Sequence, residues 1–432
     1  MSKKLNINVH HITRVEGHGN IILKASDGTI EKLEWQVPEA PRFFEAMVRG
    51  RMYDEIQPIV SRICGICSVS HSLAAIKAVE DALGVAVSEQ SDKLRLLALY
   101  AEQLESHSLH VGYLVAPDLL GASSVVPLAS SHPEEVKNVI AIHRTANQWM
   151  ELIGGRMTHP VSFRVGGFGH LPTDNELKDL KGSIESTVPR ISALAELVLS
   201  LAGNLPAFER DTEYIALVEP HIYTFYHGRI GSTDVSETVD VHQFESVTNE
   251  YVPPQSTAKW AKWHRDSYAV GSLARFNLNA SSLLPQALKT AQKLGLEKGC
   301  CNPYMNTVAQ VVECVQVVEH SLQLIDELLT AGVTYEMPSV VPKVGMGVGA
   351  VEAPRGTLYH RYAFDDEGRC TSANLCIPTN QNHGNIQKDF EALVPQIMDR
   401  SQDEIRRLLE MLVRAYDPCI SCSTHYLDVK FR

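Results

Sequence analysis

Apolar residues recur at intervals of three and four over residues 91–116, 134–153, 174–202 and 303–330, which predicts four long helices burying one face each against a shared bundle core. Gly154-Gly155 ends the second, and Pro189 is expected to kink the third. A shorter helix is predicted over 68–83, stopped by Gly84, and a last one capped by Ser401 runs through Leu408, Leu409 and Leu412 to its stop at Pro418. Alternating patterns are confined to two places. Residues 5–37 fold back around Asp27-Gly28 as a hairpin or small sheet, and residues 345–385, rich in glycine around Asp366-Glu367-Gly368, read as loop and short strands. Residues 207–260 show no sustained period. The predicted fold is α+β and mainly helical, a central bundle of long helices with small peripheral sheets.

Composition narrows the function. With 44% hydrophobic and 21% charged side chains in 432 residues, the chain can bury a large core. A net charge of -12 and the absence of any basic run argue against a nucleic-acid partner. The opening Met-Ser-Lys-Lys-Leu-Asn leads into polar sequence without the apolar core of a signal peptide, and no stretch is long and uncharged enough to span a membrane. A cytoplasmic protein is expected. In that reducing compartment nine cysteines, an odd number, read as ligands or core residues rather than disulfides.

Four of the nine form two short pairs near opposite ends of the chain. Arg62-Ile-Cys64-Gly-Ile-Cys67 is followed by His71, and Asp417-Pro-Cys419-Ile-Ser-Cys422 by His425. Cys64 and Cys67 fall on the loop feeding the 68–83 helix, whose positive end would help keep their thiols deprotonated. The 5–37 sheet is expected beside this first pair. Four thiolates can hold a metal, and the commonest use of paired Cys-x-x-Cys motifs is structural zinc. Zinc knuckles, however, sit close together in sequence and staple small modules, unlike these. A redox disulfide within one pair leaves the other unexplained. Soft thiolates suit nickel, low-spin iron, copper(I) or zinc, so the donor set alone does not name the ion. Length alone suggests roughly two to four domains, but a metal shared by both ends makes 1–432 one compact catalytic unit. It would comprise a β-rich segment 1–37, a helical core 68–330, a C-terminal loop, strand and helix segment 345–425, and a tail 426–432.

The surrounding residues resemble the large subunit of nickel-iron hydrogenases, cytoplasmic NAD(P)-linked or electron-bifurcating branch. Both cysteine motifs match, as do Arg14-Val-Glu16-Gly-His18, Arg42-Phe-Phe-Glu45, and Glu352-Ala-Pro-Arg355-Gly with Pro378-Thr379, in the family's order. The resemblance implies that Cys64, Cys67, Cys419 and Cys422 ligate nickel, with Cys67 and Cys422 bridging to an iron that carries one carbonyl and two cyanides. Arg355 and Thr379 match groups beside the cyanides, and Leu358, Ile377 and Pro378 match the pocket around the carbonyl. Glu45, the Leu375 carbonyl and His425 match the ligands of a nearby magnesium or iron ion. Asp118 and Asp417 match an acidic pair that orients the arginine. Cys419 is the implied proton acceptor and Glu16 its outlet, with Arg355 as a second choice of base because its pKa is high.

Other residues carry plainer readings. His71 reads as a hydrogen-bond partner behind the metal rather than a ligand, His107 and His110 as core or network histidines, and Cys300, Cys301, Cys314, Cys370 and Cys376 as buried thiols without iron-sulfur spacing. Glu16 on position alone would be a surface carboxylate. Without a cluster or a Gly-x-Gly-x-x-Gly fingerprint of its own, the chain is expected to pass electrons to an iron-sulfur small subunit and on to flavin or NAD(P) subunits of a diaphorase type. Residues 426–432 follow the histidine after which relatives are processed, so a maturation endopeptidase is expected if this tail is cleaved. Thr379-Asn-Gln-Asn382 departs from a Thr-x-Trp-Asn pattern of relatives, which touches packing around the site. A hydrogen sensor built on the same site, or a zinc-binding scaffold related to the quinone-site subunit of complex I, are the competing readings; relatives of the scaffold lack these cysteines.

Overall fold

The structure is a computed structural model that describes residues 4–336 and 338–425. It opens with an antiparallel sheet of β1 (Lys4–Val9), β2 (Asn20–Ser26) and β3 (Thr29–Gln36), turned between β2 and β3 at Asp27-Gly28, both with positive φ. The helices follow. α1 (Ser68–Leu83) ends in a left-handed Gly84, α2 (Glu89–Leu109) starts at the Ser88 cap, α3 (Pro133–Gly154) ends at a left-handed Gly155, and α4 (Asp174–Leu201) runs through Pro189 as one helix. α5 (Asn306–Ala331) completes the bundle, packing on both α2 and α4. The aperiodic middle segment supplies two strands, Glu213–Val218 and Arg229–Ser232, of a three-stranded sheet completed by Tyr268–Ala269.

The glycine-rich stretch expected as loop and short strands forms an antiparallel sheet of β4 (Gly345–Ala353), β5 (Gly356–Phe364) and β6 (Cys370–Cys376), with β5 in the centre. Most of it is buried, so this sheet lies inside the molecule rather than at its edge. The glycines are there for contact. A Cβ on Gly345, Gly347 or Gly349 would come within 2.2 Å of the backbone oxygen of Ala82, Ala78 or Ala74. Alternate residues of β4 therefore track every fourth residue of α1, two repeats of about 6 to 7 Å that match in length and run antiparallel. The C-terminal end of β4 is thereby laid beside the N-terminus of α1. There β4 turns into β5 through the two-residue Pro354-Arg355 hairpin, so Arg355 is carried to the end of the helix that begins after Cys67.

A helix that hydrophobic periodicity does not reveal, α6 (Pro378–Ile397), follows β6. Its first turns carry Asn380, Gln381, Asn382, His383 and Asn385, polar residues that are all buried and hydrogen-bonded to other segments. α7 (Gln402–Ala415) has the Ser401–Glu404 capping box and ends just before Asp417. The N-terminal sheet packs on α6 and α7, not beside the first cysteine pair as expected; it is the loop between β1 and β2 that reaches inward, to the second pair. Among the described residues no helix is long and apolar enough to cross a membrane.

Because β4 lies directly on the α1 backbone, Gly349→Ala should cost about 1 to 3 kcal/mol. A lowered thermal unfolding midpoint is expected, and an unchanged one would mean that the helix and strand are not in contact.

Candidate metal centre

The two ends of the chain meet through backbone contacts. Glu16 pairs with Cys419 as an isolated parallel bridge, its carbonyl accepting from Ile420 N at 2.9 Å and its carboxylate from Ser421 N at 3.0 Å. Gly17, at φ 84°, permits this approach, since a Cβ there would lie 2.6 Å from Ser421 N. Further groups hold the same segment. Thr379 Oγ1 accepts from Cys419 N at 3.0 Å, Asn380 donates to Ser423 O at 2.9 Å, and Arg42 N donates to Thr424 O at 2.7 Å.

This frame brings the four cysteines together. Their Sγ atoms lie within 4.8 Å of one another in a buried site, with Cys64 3.5 Å from Cys419, Cys67 3.8 Å from Cys422, and Cys419 2.8 Å from Cys422. Among the described residues no other group of three or more histidines, cysteines and carboxylates converges in this way. Hydrogen bonding among the thiols holds Cys64 down as a thiolate, while the same neighbours and burial push Cys419 up. Four thiolates at these separations need a cation between them, and a soft, borderline metal such as nickel fits the donor set.

Arg355 lies at the rim. It donates through Nη2 to Asp417 Oδ1 at 2.9 Å, through Nε to Asp417 O at 2.6 Å, and through Nη1 to Ser106 Oγ at 3.2 Å. Burial opposes its charge, but Asp417 and the cysteines outweigh burial and hold it well above its ordinary pKa. It is a fixed cation. Asp118, expected to share Arg355 with Asp417, instead accepts from Arg14 at 2.5 Å and from Arg414 at 2.7 and 3.1 Å. That carboxylate clamps the Arg14 loop to α7, whereas Ser106 holds the second side of Arg355. The sequence signal for Ser106 is slight: a small polar residue among the larger polar side chains of α2, between Glu105 and His107.

The positive end of α1 is not left to the thiols either. Glu102 of α2 accepts from Val69 N at 2.6 Å and Ser70 N at 3.0 Å, closing that helix end with a carboxylate. His71 lies behind the cysteines with its Nδ1 3.1 Å from His360 Nε2, and burial pushes both rings well down, leaving them neutral. His360 was not singled out from sequence, though it follows the Arg355 motif on the inward face of β5. His107 bonds Glu313 and His110 bonds the Arg414 carbonyl, the network roles expected of them. Of the remaining thiols, Cys314, Cys370 and Cys376 are buried; Cys300 and Cys301 are only half-buried, because they lie in the short connection before α5.

Leu358, Ile377 and Pro378 are buried, Leu358 on β5 and the other two at the start of α6 next to Thr379. A second convergence lies beyond His425. Its Nε2 is 2.7 Å from the Leu375 carbonyl oxygen and 3.4 Å from Glu45 Oε1, while Leu375 N donates to Glu45 at 2.9 Å. Burial alone would raise the Glu45 carboxyl, but the His425 ring, Lys259 and Leu375 outweigh it and bring it to about 2. Glu45 thus stays ionised.

Comparison with known proteins agrees with this geometry. The family described as nickel-dependent hydrogenase matches residues 42–136 and 210–425. Sulfhydrogenase 1 subunit alpha of Pyrococcus furiosus is 32% identical over 428 residues, which cover 98% of this chain and 98% of the relative. The beta subunit of NAD-reducing hydrogenase HoxS from Cupriavidus necator is 28% identical and covers 99% of this chain and 96% of its own. A solved NAD+-reducing NiFe hydrogenase in its H2-reduced state is similar over 97% of this chain and 99% of its own, with a TM-score of 0.87 and 27% identity.

Removing the Asp118 charge takes the carboxylate from Arg14 and leaves Arg414 only Glu410, at 3.4 Å, as a carboxylate partner, so Asp118→Asn should destabilise the protein by about 3 kcal/mol. Thermal unfolding checks this; a variant as stable as the parent would mean that the Arg14 and Arg414 pairs are dispensable.

Proposed function

The chain belongs to the nickel-dependent hydrogenase family as a catalytic large subunit, and from that premise we propose that residues 1–432 act as one catalytic unit of a cytoplasmic enzyme that splits H2 reversibly into protons and electrons. The observation that carries this reading is the convergence of four sulfurs from both chain ends with Cys419 Sγ directed at Glu16 Oε2, 3.1 Å away. In this reading Cys64, Cys67, Cys419 and Cys422 would hold a nickel-iron centre whose iron carries one carbonyl and two cyanides, Cys67 and Cys422 serving both metals. Arg355 and Thr379 would lie beside the cyanides, and Leu358, Ile377 and Pro378 would supply the apolar pocket for the carbonyl. Glu45, the Leu375 carbonyl and His425 hold magnesium or iron, a role supported by an ionised carboxylate, a carbonyl and a ring nitrogen directed at one another.

When bound, the metal pair supplies the Lewis acid that draws the electron pair of dihydrogen. The chain supplies the base. Cys419 takes the proton at Sγ and passes it to Glu16 Oε2 across a 3.1 Å contact. The Glu16 backbone carbonyl simultaneously anchors Ile420, so donor and acceptor are held by one strand-like contact. Asp417 positions Arg355, and because the guanidinium stays cationic its part is to balance the thiolates rather than to remove a proton.

Electrons leave through other chains. Among the described residues no second ligand cluster offers an outlet, which supports an iron-sulfur small subunit as partner. The likeness to NAD-reducing hydrogenases supports flavin and NAD(P) subunits of a diaphorase or bifurcating type beyond it. A maturation endopeptidase acting after His425 belongs to the same reading; residues 426–432 lie outside those described.

Glu16→Gln keeps an oxygen to accept from Ser421 N but cannot relay a proton, so hydrogen-deuterium exchange should fall about 100-fold or more with nickel retained. Cys419→Ser should abolish exchange. Parent-like exchange in the glutamine variant would remove Glu16 from the proton path.

A further inference from the structure

On α2, Glu102 and Glu105 lie three residues apart and both are buried, yet their surroundings differ. Glu102 is saturated by the N–H groups of Val69 and Ser70. Glu105 has no such support: its side chain is 9% exposed and its Oε2 has no hydrogen-bond partner. A buried carboxylate without donors is costly, so it has a reason to be there other than stability. The next residue, Ser106, accepts from Arg355 at 3.2 Å. Arg355 in turn donates to Asp417, two residues before Cys419, so the chain at Glu105 lies on the Arg355 side of the four-cysteine centre.

On its other side is His143 of α3. The His143 Nε2 is 3.6 Å from Glu105 Oε1, its Nδ1 lies 3.4 Å from the Glu105 carbonyl oxygen, and its side chain is 27% exposed. With Nδ1–H donating to that carbonyl, Nε2 is left as an acceptor directed at the carboxyl, and a small rotation of either side chain closes the gap to bonding distance. Tyr113 flanks the ring, 6.2 Å between centroids, at the irregular turn of helix His110–Val115 that continues α2. Burial pushes the Glu105 carboxyl up to about 8 and moves His143 down from its ordinary value, so both are neutral at rest and the step from Glu105 to His143 is uphill, drawn forward by release of the proton from the partly exposed ring to water.

We propose that Glu105 and His143 form a second proton route, from the Arg355 side of the metal centre to solvent, separate from the Glu16 route. It rests on the hydrogenase reading above. The carboxylate of Glu105 takes a proton released at the centre, passes it to His143 Nε2, and the imidazolium returns it to water; the reverse sequence delivers protons for hydrogen evolution. Glu105 and His143 are relay residues and touch no reacting atom.

The test uses the purified complex. In the Glu16→Gln background, adding Glu105→Gln or His143→Ala should lower the residual hydrogen-deuterium exchange about tenfold or more, and free imidazole should restore the His143→Ala variant but not the Glu105→Gln one. Independently of turnover, one of the infrared carbonyl bands of protonated carboxyl groups near neutral pH should be lost in Glu105→Gln, while that of Glu102, which burial likewise raises to about 8, persists. Residual exchange unchanged in His143→Ala, with no response to imidazole, would overturn the route even if Glu105→Gln failed to assemble. A parent complex that exchanges no hydrogen at all would instead refute the hydrogenase reading.

Discussion

Everything in this structure depends on holding four sulfur atoms closer together than like charges tolerate. Two unit charges 4 Å apart repel by about 4 kcal/mol at an effective dielectric near 20, and four thiolates make several such pairs. The 2.8 to 3.8 Å contacts among Cys64, Cys67, Cys419 and Cys422 are therefore sustainable in the ionised form only around a metal, and the rest of the chain is the frame that keeps the donors in position for it. Distant parts of the chain supply that frame: the Glu16 loop, the Arg355 hairpin, the start of α6 and the Arg42 segment all bond to residues 417–425.

The same frame sorts the charged groups by task. Arg355 is fixed as a cation by Asp417, whose own backbone carbonyl and carboxylate both face it. Asp118 serves a mechanical purpose, tying the Arg14 loop to α7 so that Glu16 and Cys419 cannot separate. Glu102 closes α1, and the neutral His71–His360 pair backs the cysteines without adding charge. Glu105 alone among these has neither partner nor counterion in hydrogen-bond contact at its inner oxygen, and so stands apart from the structural carboxylates.

Much of this was legible in the sequence where a local rule was strong. The long amphipathic helices, the Gly84 and Gly155 stops, the Ser401 cap and the Asp27-Gly28 turn all follow from periodicity and turn chemistry. The cysteine motifs, with Glu16 and Arg355, pointed to one site because their order fitted one pattern. Other features depended on tertiary contact. The glycines of β4 resemble a loop until α1 is seen lying on them, and the first turns of α6 look too polar for a buried helix until each amide is paired. Asp118 was misplaced because a carboxylate in the right stretch of chain does not reveal which arginine it faces; Ser106, with a smaller and less distinctive side chain, holds that position.

The most direct test of the account is an infrared spectrum of the purified complex in the region where metal-bound carbonyl and cyanide absorb and protein does not. One carbonyl and two cyanide bands that shift when hydrogen is admitted would establish a loaded, working metal centre at the four cysteines. A complex with full nickel content, no such bands and no response to hydrogen would contradict it.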